Sequence, residues 1–172
     1  MNKSYLGQKG YTIIKEHLTI HEEQHIRSDL MVKPYIPNSP IKLPEFAIYR
    51  ESRNKIYVPR YFGEEHYGEP DENRLKEPQP INLQFSGELR DYQEKIVNTF
   101  LKKSNDGGGL LEIPCGRGKT VMALKILAEL KVKTLVIVHK GFLLNQWVER
   151  IEQFLPNARI GKIQGQVIDI ED

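Results

Sequence analysis

The residues with the clearest chemical potential form a glycine-rich loop that runs into a lysine and a threonine. Residues 107–120 read Gly-Gly-Gly-Leu-Leu-Glu-Ile-Pro-Cys-Gly-Arg-Gly-Lys-Thr. Gly116 and Gly118 let backbone amides converge on an anion without a Cβ in the way, and a helix N-terminus behind them adds about half a positive charge. Lys119 can then reach the β- and γ-phosphates of a nucleotide, and the Thr120 hydroxyl can bind Mg²⁺.

The elements around this loop have the order that a phosphate site requires. Residues 110–113 are apolar except for Glu112 and predict a buried strand, whereas Val121, Leu124, Leu127 and Leu130 recur at helical spacing after the loop. The full eight-residue Walker A pattern begins with glycine, and Ile113 stands at that position here. The alternative is a helix that begins at a glycine for packing reasons alone.

Composition limits the class of protein. The chain has 172 residues, 39% of them hydrophobic, and a net charge of +2, which allows one proper core with a small second unit. So small a charge carries no domain-wide nucleic-acid signal, and any such contact is expected to be local. We expect no membrane association, because no apolar run approaches the roughly 18 residues of a span. The single cysteine excludes an internal disulfide, in agreement with a reducing compartment.

The N-terminal half predicts a small α+β unit. Gly10–Ile14 favours a short strand, and Thr19 and Glu22 have capping-box spacing for a helix that runs to about Asp29. A β-hairpin is predicted near 46–58, ended by Pro59. Residues 33–40 are proline-rich and indicate a linker or an extended edge. Residues 63–80, rich in acids, glycine and proline, predict a boundary between units 1–80 and 81–172.

Two features of this half have a functional and a plain interpretation. His21, Glu22 and His25 spell the H-E-x-x-H zinc signature, but a Glu22 that reciprocates the Thr19 cap cannot activate water, so we expect no zinc there. Basic side chains and tyrosines alternate in the hairpin region. They are Arg50, Arg53, Lys55 and Arg60 beside Tyr49, Tyr57 and Tyr61. Such a mixture can stack on nucleic acid, but it is more often the outer face of a small sheet.

The C-terminal half alternates strand and helix patterns. A helix opens near Leu89 with Tyr92, Ile96, Val97, Phe100 and Leu101 on one face. Residues 134–138 predict a second strand, a helix with Trp147 on its apolar face follows, and residues 159–163 and 167–170 are further candidate strands. This alternation predicts an α/β fold with a parallel sheet covered by helices on both faces. Ligands of such sheets bind at the carboxyl ends of strands, where residues 116–120 and 139–140 fall.

Together these motifs resemble the first RecA-like domain of a superfamily 2 DEAD/DEAH-like DNA helicase. The resemblance rests on residues 89–93 (Leu-Arg-Asp-Tyr-Gln), on the loop 113–120 and on residues 135–140, with Gln146 and Trp147 behind them. The proline-cysteine-glycine loop is most similar to the transcription-repair helicase group. Residues 57–63 (Tyr-Val-Pro-Arg-Tyr-Phe-Gly) are similar to helicases of large nucleocytoplasmic DNA viruses.

The resemblance implies a set of site residues. ATP and Mg²⁺ would bind at Pro114, Cys115, Gly116, Arg117, Gly118, Lys119 and Thr120, with Lys119 as the catalytic residue, Thr120 as the metal ligand and Gln93 on the adenine edge. His139 and Lys140 would contact the nucleic-acid backbone, DNA first with RNA not excluded. The expected location is intracellular: host cytoplasm or virion for a viral protein, otherwise nucleus or cytoplasm.

The catalytic acids of such helicases are missing from the expected place. Asp169, Glu171 and Asp172 make a poor Walker B pattern, because Asp169 interrupts the apolar run instead of following it. We therefore expect an N-terminal fragment that needs the remainder of a helicase chain, with an incomplete sheet. A non-catalytic protein that binds DNA or another partner through its N-terminal unit is the alternative, and a small-molecule kinase is disfavoured by the Gln93 motif.

Overall fold

The computed structural model describes residues 3–35, 37, 43–104 and 108–170, and the chain divides into two compact units, Met1–Glu77 and Pro78–Asp172. Part of the predicted proline-rich linker, at Ile36 and residues 38–40, lies outside the described residues, as does Gly107. In the described ranges, no helix combines the length and the apolar character needed to cross a membrane.

The N-terminal unit is built on a four-stranded antiparallel sheet. Its strands are β1 (Ser4–Gly7), β2 (Gly10–Ile14), β5 (Arg50–Glu51) and β6 (Lys55–Val58), in the order β1-β2-β6-β5. The predicted strand Gly10–Ile14 is confirmed. Tyr11 lies opposite Val58, and Ile13 lies opposite Ile56. Because alternate residues of a strand point to the same face, these four side chains form one buried surface.

The predicted hairpin is shorter at its first strand than the sequence indicates. β5 and β6 pair across the turn that includes Ser52, whereas Phe46–Ala47 forms a separate strand, β4. β4 pairs with β3 (Met31–Val32) in a two-stranded sheet. The apolar run at 46–50 is therefore divided between two sheets.

Two helices cover the core of this unit. Helix α1 (Ile20–Asp29) begins with the predicted capping box: the Thr19 hydroxyl accepts from the Glu22 amide, and the Glu22 carboxylate accepts from the Thr19 amide. Its Ile26 is fully buried against the sheet. Helix α2 (Arg60–Tyr67) packs so closely that a Cβ on Gly63 would lie 2.2 Å from Tyr11 Cγ.

Helix α2 and the residues after it extend the N-terminal unit into the predicted boundary segment, residues 63–80. Residues 63–67 are helical, because Arg60 and Glu64 pair one turn apart at 2.7 Å and because Gly63 packs on the core. Farther on, the Asp71 carboxylate accepts from the Lys3 and Ser4 amides, and the Arg74 amide donates to the Leu6 carbonyl. Residues 71–74 therefore belong to the N-terminal unit and do not form a free linker.

The C-terminal unit contains the three predicted helices: α3 (Asp91–Lys103), α4 (Lys119–Leu130) and α5 (Gly141–Phe154). Helix α4 contributes to two clusters. Its Met122 and Ile126 pack with Val97 of α3, whereas Leu124 and Ala128 pack with Leu155 and, as predicted for an apolar-face indole, with Trp147 of α5. The helix behind the glycine loop is thereby buried on two sides.

The predicted parallel sheet is not formed by the described residues. The runs 110–113 and 134–138 lie outside every strand, since a strand needs a hydrogen-bonded neighbour and neither run has one in the described part of the chain. Leu110, Leu135 and Ile137 are 90%, 75% and 85% exposed. The last two predicted strands are present as β7 (Lys162–Gln164) and β8 (Val167–Asp169), which pair antiparallel because only two residues connect them.

Candidate nucleotide-binding site

The glycine loop is positioned at both ends by the core of the C-terminal unit. Before it, Leu111 and Ile113 pack on the cluster of Val97, Met122 and Ile126. After it, Gly118 is the N-cap residue of α4. Between these points residues 114–117 are exposed, as a loop that receives a ligand must be. A groove of about 400 Å³ runs beside the run 108–113, against α3.

Both glycines of the motif are required by the backbone. Gly116 has φ +74° and Gly118 has φ +80°, in the left-handed region that a side chain disfavours. The two sites differ in their surroundings: a Cβ on Gly116 would meet nothing within 4 Å, whereas a Cβ on Gly118 would lie 2.5 Å from Nε2 of Gln93. The loop is therefore turned at Gly116 and in close contact with its neighbour at Gly118.

Gln93 fixes the loop to the start of helix α3. The buried amide donates through Nε2 to the Arg117 carbonyl (3.0 Å) and accepts through Oε1 from the Arg90 amide (3.0 Å). The Tyr92 hydroxyl donates to the same Arg117 carbonyl at 3.1 Å. The sequence did not predict this tie to the loop, because Gln93 and Arg117 are 24 positions apart and no local pattern joins them. Adenine contact by Gln93 stays a prediction.

The first turn of α4 presents unpaired donors. Met122 donates its amide to the Gly118 carbonyl at 3.1 Å, so the amides of residues 119–121 precede the first helical hydrogen bond. Lys119 Nζ donates to the Ile113 carbonyl at 2.9 Å, which places the ammonium between the two ends of the loop. In the described structure the Thr120 hydroxyl makes no hydrogen bond, so it is available to a metal. These donors, with the helix dipole, suit a phosphate group.

The remaining predicted loop residues are exposed. Pro114 and Cys115 lie in the open part of the loop, and Cys115 is a free thiol. The Arg117 guanidinium lies 5.9 Å from the centroid of the Tyr92 ring. Arg117 and Lys119 are both accessible to an anion, which makes the loop locally positive.

His139 and Lys140 are exposed at the start of α5, where Lys140 is the N-cap residue. Its carbonyl accepts from the Leu143 and Leu144 amides, whereas its side chain is free of hydrogen bonds to other described residues. Across the described ranges, no hydrogen bond or ion pair joins His139 or Lys140 to the glycine loop. Their nucleic-acid role stays a prediction.

Two other predicted features have plain structural roles. Glu22 of the H-E-x-x-H spelling is bonded to Thr19, as expected for a cap. Asp169 lies in β8 opposite Lys162 of β7, in an exposed hairpin and not at the end of a parallel strand. Glu171 and Asp172 are outside the described residues.

The sequence of the C-terminal unit matches a known protein family, which defines the class of protein. Residues 86–171, which include helix α3, the glycine loop and α5, match the family described as Type III restriction enzyme, res subunit. The match covers half of the chain, and the chain belongs to this family of superfamily 2 helicases, with a RecA-like helicase domain.

Individual relatives include viral and transcription-repair helicases, as the sequence predicted. The chain is 32% identical over 174 residues to "Putative ATP-dependent RNA helicase L396" of Acanthamoeba polyphaga mimivirus, across 97% of this chain and 34% of that protein. It is 46% identical over 68 residues to DNA 3′-5′ translocase XPB2 of Sulfurisphaera tokodaii (40% of this chain, 15% of that protein). It is 31% identical over 93 residues to DNA 3′-5′ helicase XPB of Mycobacterium tuberculosis (52% and 16%). The chain thus spans about a third or less of these relatives.

Proposed function

We propose that this chain is the N-terminal part of an ATP-dependent helicase or translocase, and that residues 114–120 bind the phosphates of ATP with Mg²⁺. The observation that carries the proposal is the first turn of α4, where unpaired amides and the Thr120 hydroxyl follow two left-handed glycines and the Lys119 ammonium reaches back to the Ile113 carbonyl. The family of residues 86–171 and the names of the relatives support ATP as the nucleotide.

Each residue of the proposed site has a separate role in binding ATP and Mg²⁺. The amides of residues 119–121 donate to phosphate oxygens at the helix start, and Lys119 exchanges its bond to the Ile113 carbonyl for bonds to the β- and γ-phosphates. The Thr120 hydroxyl holds Mg²⁺, which neutralises charge on the phosphate oxygens when bound. Gln93 keeps the loop in place through Arg117, with its second Nε2 hydrogen left for the base.

The proposed nucleic-acid contact is to the backbone, through His139 and Lys140. Both are exposed at the end of the run 134–138, and neither side chain is used in an internal bond of the described structure. We favour DNA because two of the three relatives above carry DNA in their names, although the mimivirus relative carries RNA. A charge-reversal variant, Lys140→Glu, should weaken binding of all sequences alike, since phosphates carry no sequence information.

The exposed apolar runs support a larger sheet. We propose that residues 110–113 and 134–138 become parallel strands of a RecA-like sheet when they pair with strands from the remainder of the helicase, which would bury Leu110, Leu135 and Ile137.

Hydrolysis also requires acids that orient water and hold the metal. Because Asp169 lies in a hairpin, we expect little turnover by the 172-residue chain, and robust DNA-stimulated ATP hydrolysis would contradict this.

The test is a titration of the full chain with a fluorescent ATP analogue and Mg²⁺. Lys119→Ala should lower the affinity about 10- to 100-fold, since a hydrogen bond from a charged donor is worth about 1.5–3 kcal/mol. Lys125→Ala is the matched control, because Lys125 lies on the same helix but pairs with Glu129 at 2.6 Å. Equal affinities for the two variants would refute the proposed site.

A further inference from the structure

A group of side chains that could ligate a metal belongs to the N-terminal unit, whereas the glycine loop belongs to the C-terminal unit. His25 and Asp29 stand one turn apart on α1, and His66 lies near the end of α2. One ligand atom from each of the three residues lies within 4.8 Å of the other two. His25 Nε2 is 3.1 Å from Asp29 Oδ2, close to the separation of about 3.3 Å between two ligands of a tetrahedral zinc ion.

The ring of His66 is held in the tautomer that metal binding needs. Its Nδ1 lies 3.0 Å from the Phe62 carbonyl, and a carbonyl oxygen only accepts, so Nδ1 carries the proton and Nε2 keeps its lone pair. The ring also stacks on Phe62, with centroids 4.2 Å apart. A ring nitrogen that donates to a backbone carbonyl is the usual support of a metal-bound histidine.

Both helices rest on a rigid base. Ile26, next to His25, is fully buried, and Phe62 packs on the same core cluster. Gly63 of α2 touches the ring of Tyr11 so closely that α2 has no room to move inward. The two histidine rings, with centroids 6.3 Å apart, are therefore held side by side by packing and not by chance contact of loops.

We propose that His25, Asp29 and His66 bind a divalent transition metal of the zinc class, with the fourth position open to water. Two imidazoles and one carboxylate form a donor set that suits Zn²⁺, and the exposure of all three side chains gives the ion access. The ion would lie between His25 Nε2 and Asp29 Oδ2 and would cross-link α1 to α2. This site shares only His25 with the H-E-x-x-H spelling, and Glu22 and His21 are not part of it.

The test is calorimetric titration of the full chain with Zn²⁺, repeated with Co²⁺ and read by its visible absorption. We expect one ion per chain, an increase in melting temperature, and a loss of about 100-fold or more in affinity for His25→Ala, Asp29→Asn and His66→Ala. His21→Ala is the matched control and should bind as the wild type does.

Each other result overturns the proposal. If His21→Ala loses binding while His66→Ala keeps it, the H-E-x-x-H spelling is the site. If no saturable binding occurs, or if none of the three ligand variants changes the affinity, the cluster is an ordinary exposed contact. Circular dichroism of each variant separates lost binding from lost folding, and the exposed positions of the three side chains make the latter unexpected.

Discussion

The two units differ in how completely they bury the apolar runs that were predicted as their central strands. In the N-terminal unit, Tyr11, Ile26 and Ile56 are wholly enclosed by a four-stranded sheet and two helices. In the C-terminal unit, the helices are well packed, but Ile137 and Leu110 are almost fully exposed. A group of exposed large apolar residues is typical of a surface that packs against another segment or protein. The unit that carries the candidate nucleotide site therefore leaves Leu110, Leu135 and Ile137 uncovered by the described residues.

The largest effect is expected from a matched pair of isoleucines. Ile56→Ala should cost about 2–5 kcal/mol of unfolding free energy, because it leaves a cavity in a closed core. Ile137→Ala should change stability by less than about 0.5 kcal/mol, because its side chain is exposed. Urea unfolding followed by circular dichroism measures both, with the fluorescence of Trp147, the single tryptophan, reporting the C-terminal unit. Comparable losses for the two variants would mean that the run 134–138 is buried in solution.

The second comparison is between the two glycines of the loop. Both variants to alanine carry the cost of a left-handed backbone, about 1–2 kcal/mol. Gly118→Ala also pushes on Nε2 of Gln93, whereas the side chain of Gly116→Ala enters open space. We expect both variants to bind ATP more weakly than the wild type. The affinity of Gly118→Ala should be roughly tenfold lower than that of Gly116→Ala, as measured with the fluorescent analogue. Equal losses would show that the Gln93 contact does not matter to the loop.

The third prediction concerns the role of Gln93. Gln93→Ala removes a hydrogen bond to the Arg117 carbonyl and one from the Arg90 amide. We expect this to lower the free energy of unfolding by about 1 kcal/mol. If Gln93 only positions the loop, ATP and GTP lose affinity by the same factor. If it also reads the adenine edge, as we predict, ATP loses more than GTP. Competition titrations with the two nucleotides distinguish these outcomes, and Gln146→Ala, at an exposed position on α5, is the control.

The smallest effect is a pH dependence in the N-terminal unit. Hydrogen bonds and charge from Arg27, then Lys15, lower the pKa of the Glu51 carboxyl from 4.5 to about 2. A lowered folded-state pKa stabilises the fold above the unfolded value, and this stabilisation is lost as the pH falls from about 4.5 through about 2. Since these side chains are partly exposed, the contribution should be below about 1 kcal/mol.

Glu51→Gln should therefore be slightly less stable than the wild type at pH 7, with a difference that shrinks towards pH 2. Thermal unfolding at pH 7, 4 and 2.5 measures this difference. Glu45→Gln is the control, because Glu45 lies 3.7 Å from an exposed Lys33. A difference that grows as the pH falls would contradict the proposed ion-pair network.

The helices were predictable because their signals are local. The capping box at Thr19 and the apolar spacing in α3, α4 and α5 each lie within one segment. Helix α2 was missed because its stability comes from tertiary contact between Gly63 and Tyr11, which no local pattern shows. The strands at 110–113 and 134–138 were predicted from apolar character alone, which indicates burial but cannot supply the neighbour that a ladder requires.

In the candidate site, too, local sequence patterns were predictable and contacts between distant residues were not. Residue types and spacing were enough to predict Gly116, Gly118, Lys119 and Thr120 as phosphate-binding residues, because a phosphate loop is contiguous in sequence. The tie from Gln93 to Arg117 and the approach of His66 to His25 were not predictable, since both join residues that are 24 or more positions apart. Both contacts arise only in the tertiary structure, which no local sequence pattern shows.

The central claim is that the amides at the start of α4 and its loop bind the phosphates of ATP. The most direct measurement is a nuclear magnetic resonance titration of ¹⁵N-labelled chain with a non-hydrolysable ATP analogue and Mg²⁺. We expect the largest amide shift changes at Gly116, Gly118, Lys119 and Thr120, and their loss in Lys119→Ala. Saturable shifts elsewhere with these four amides unchanged, or no shifts at all, would contradict the account.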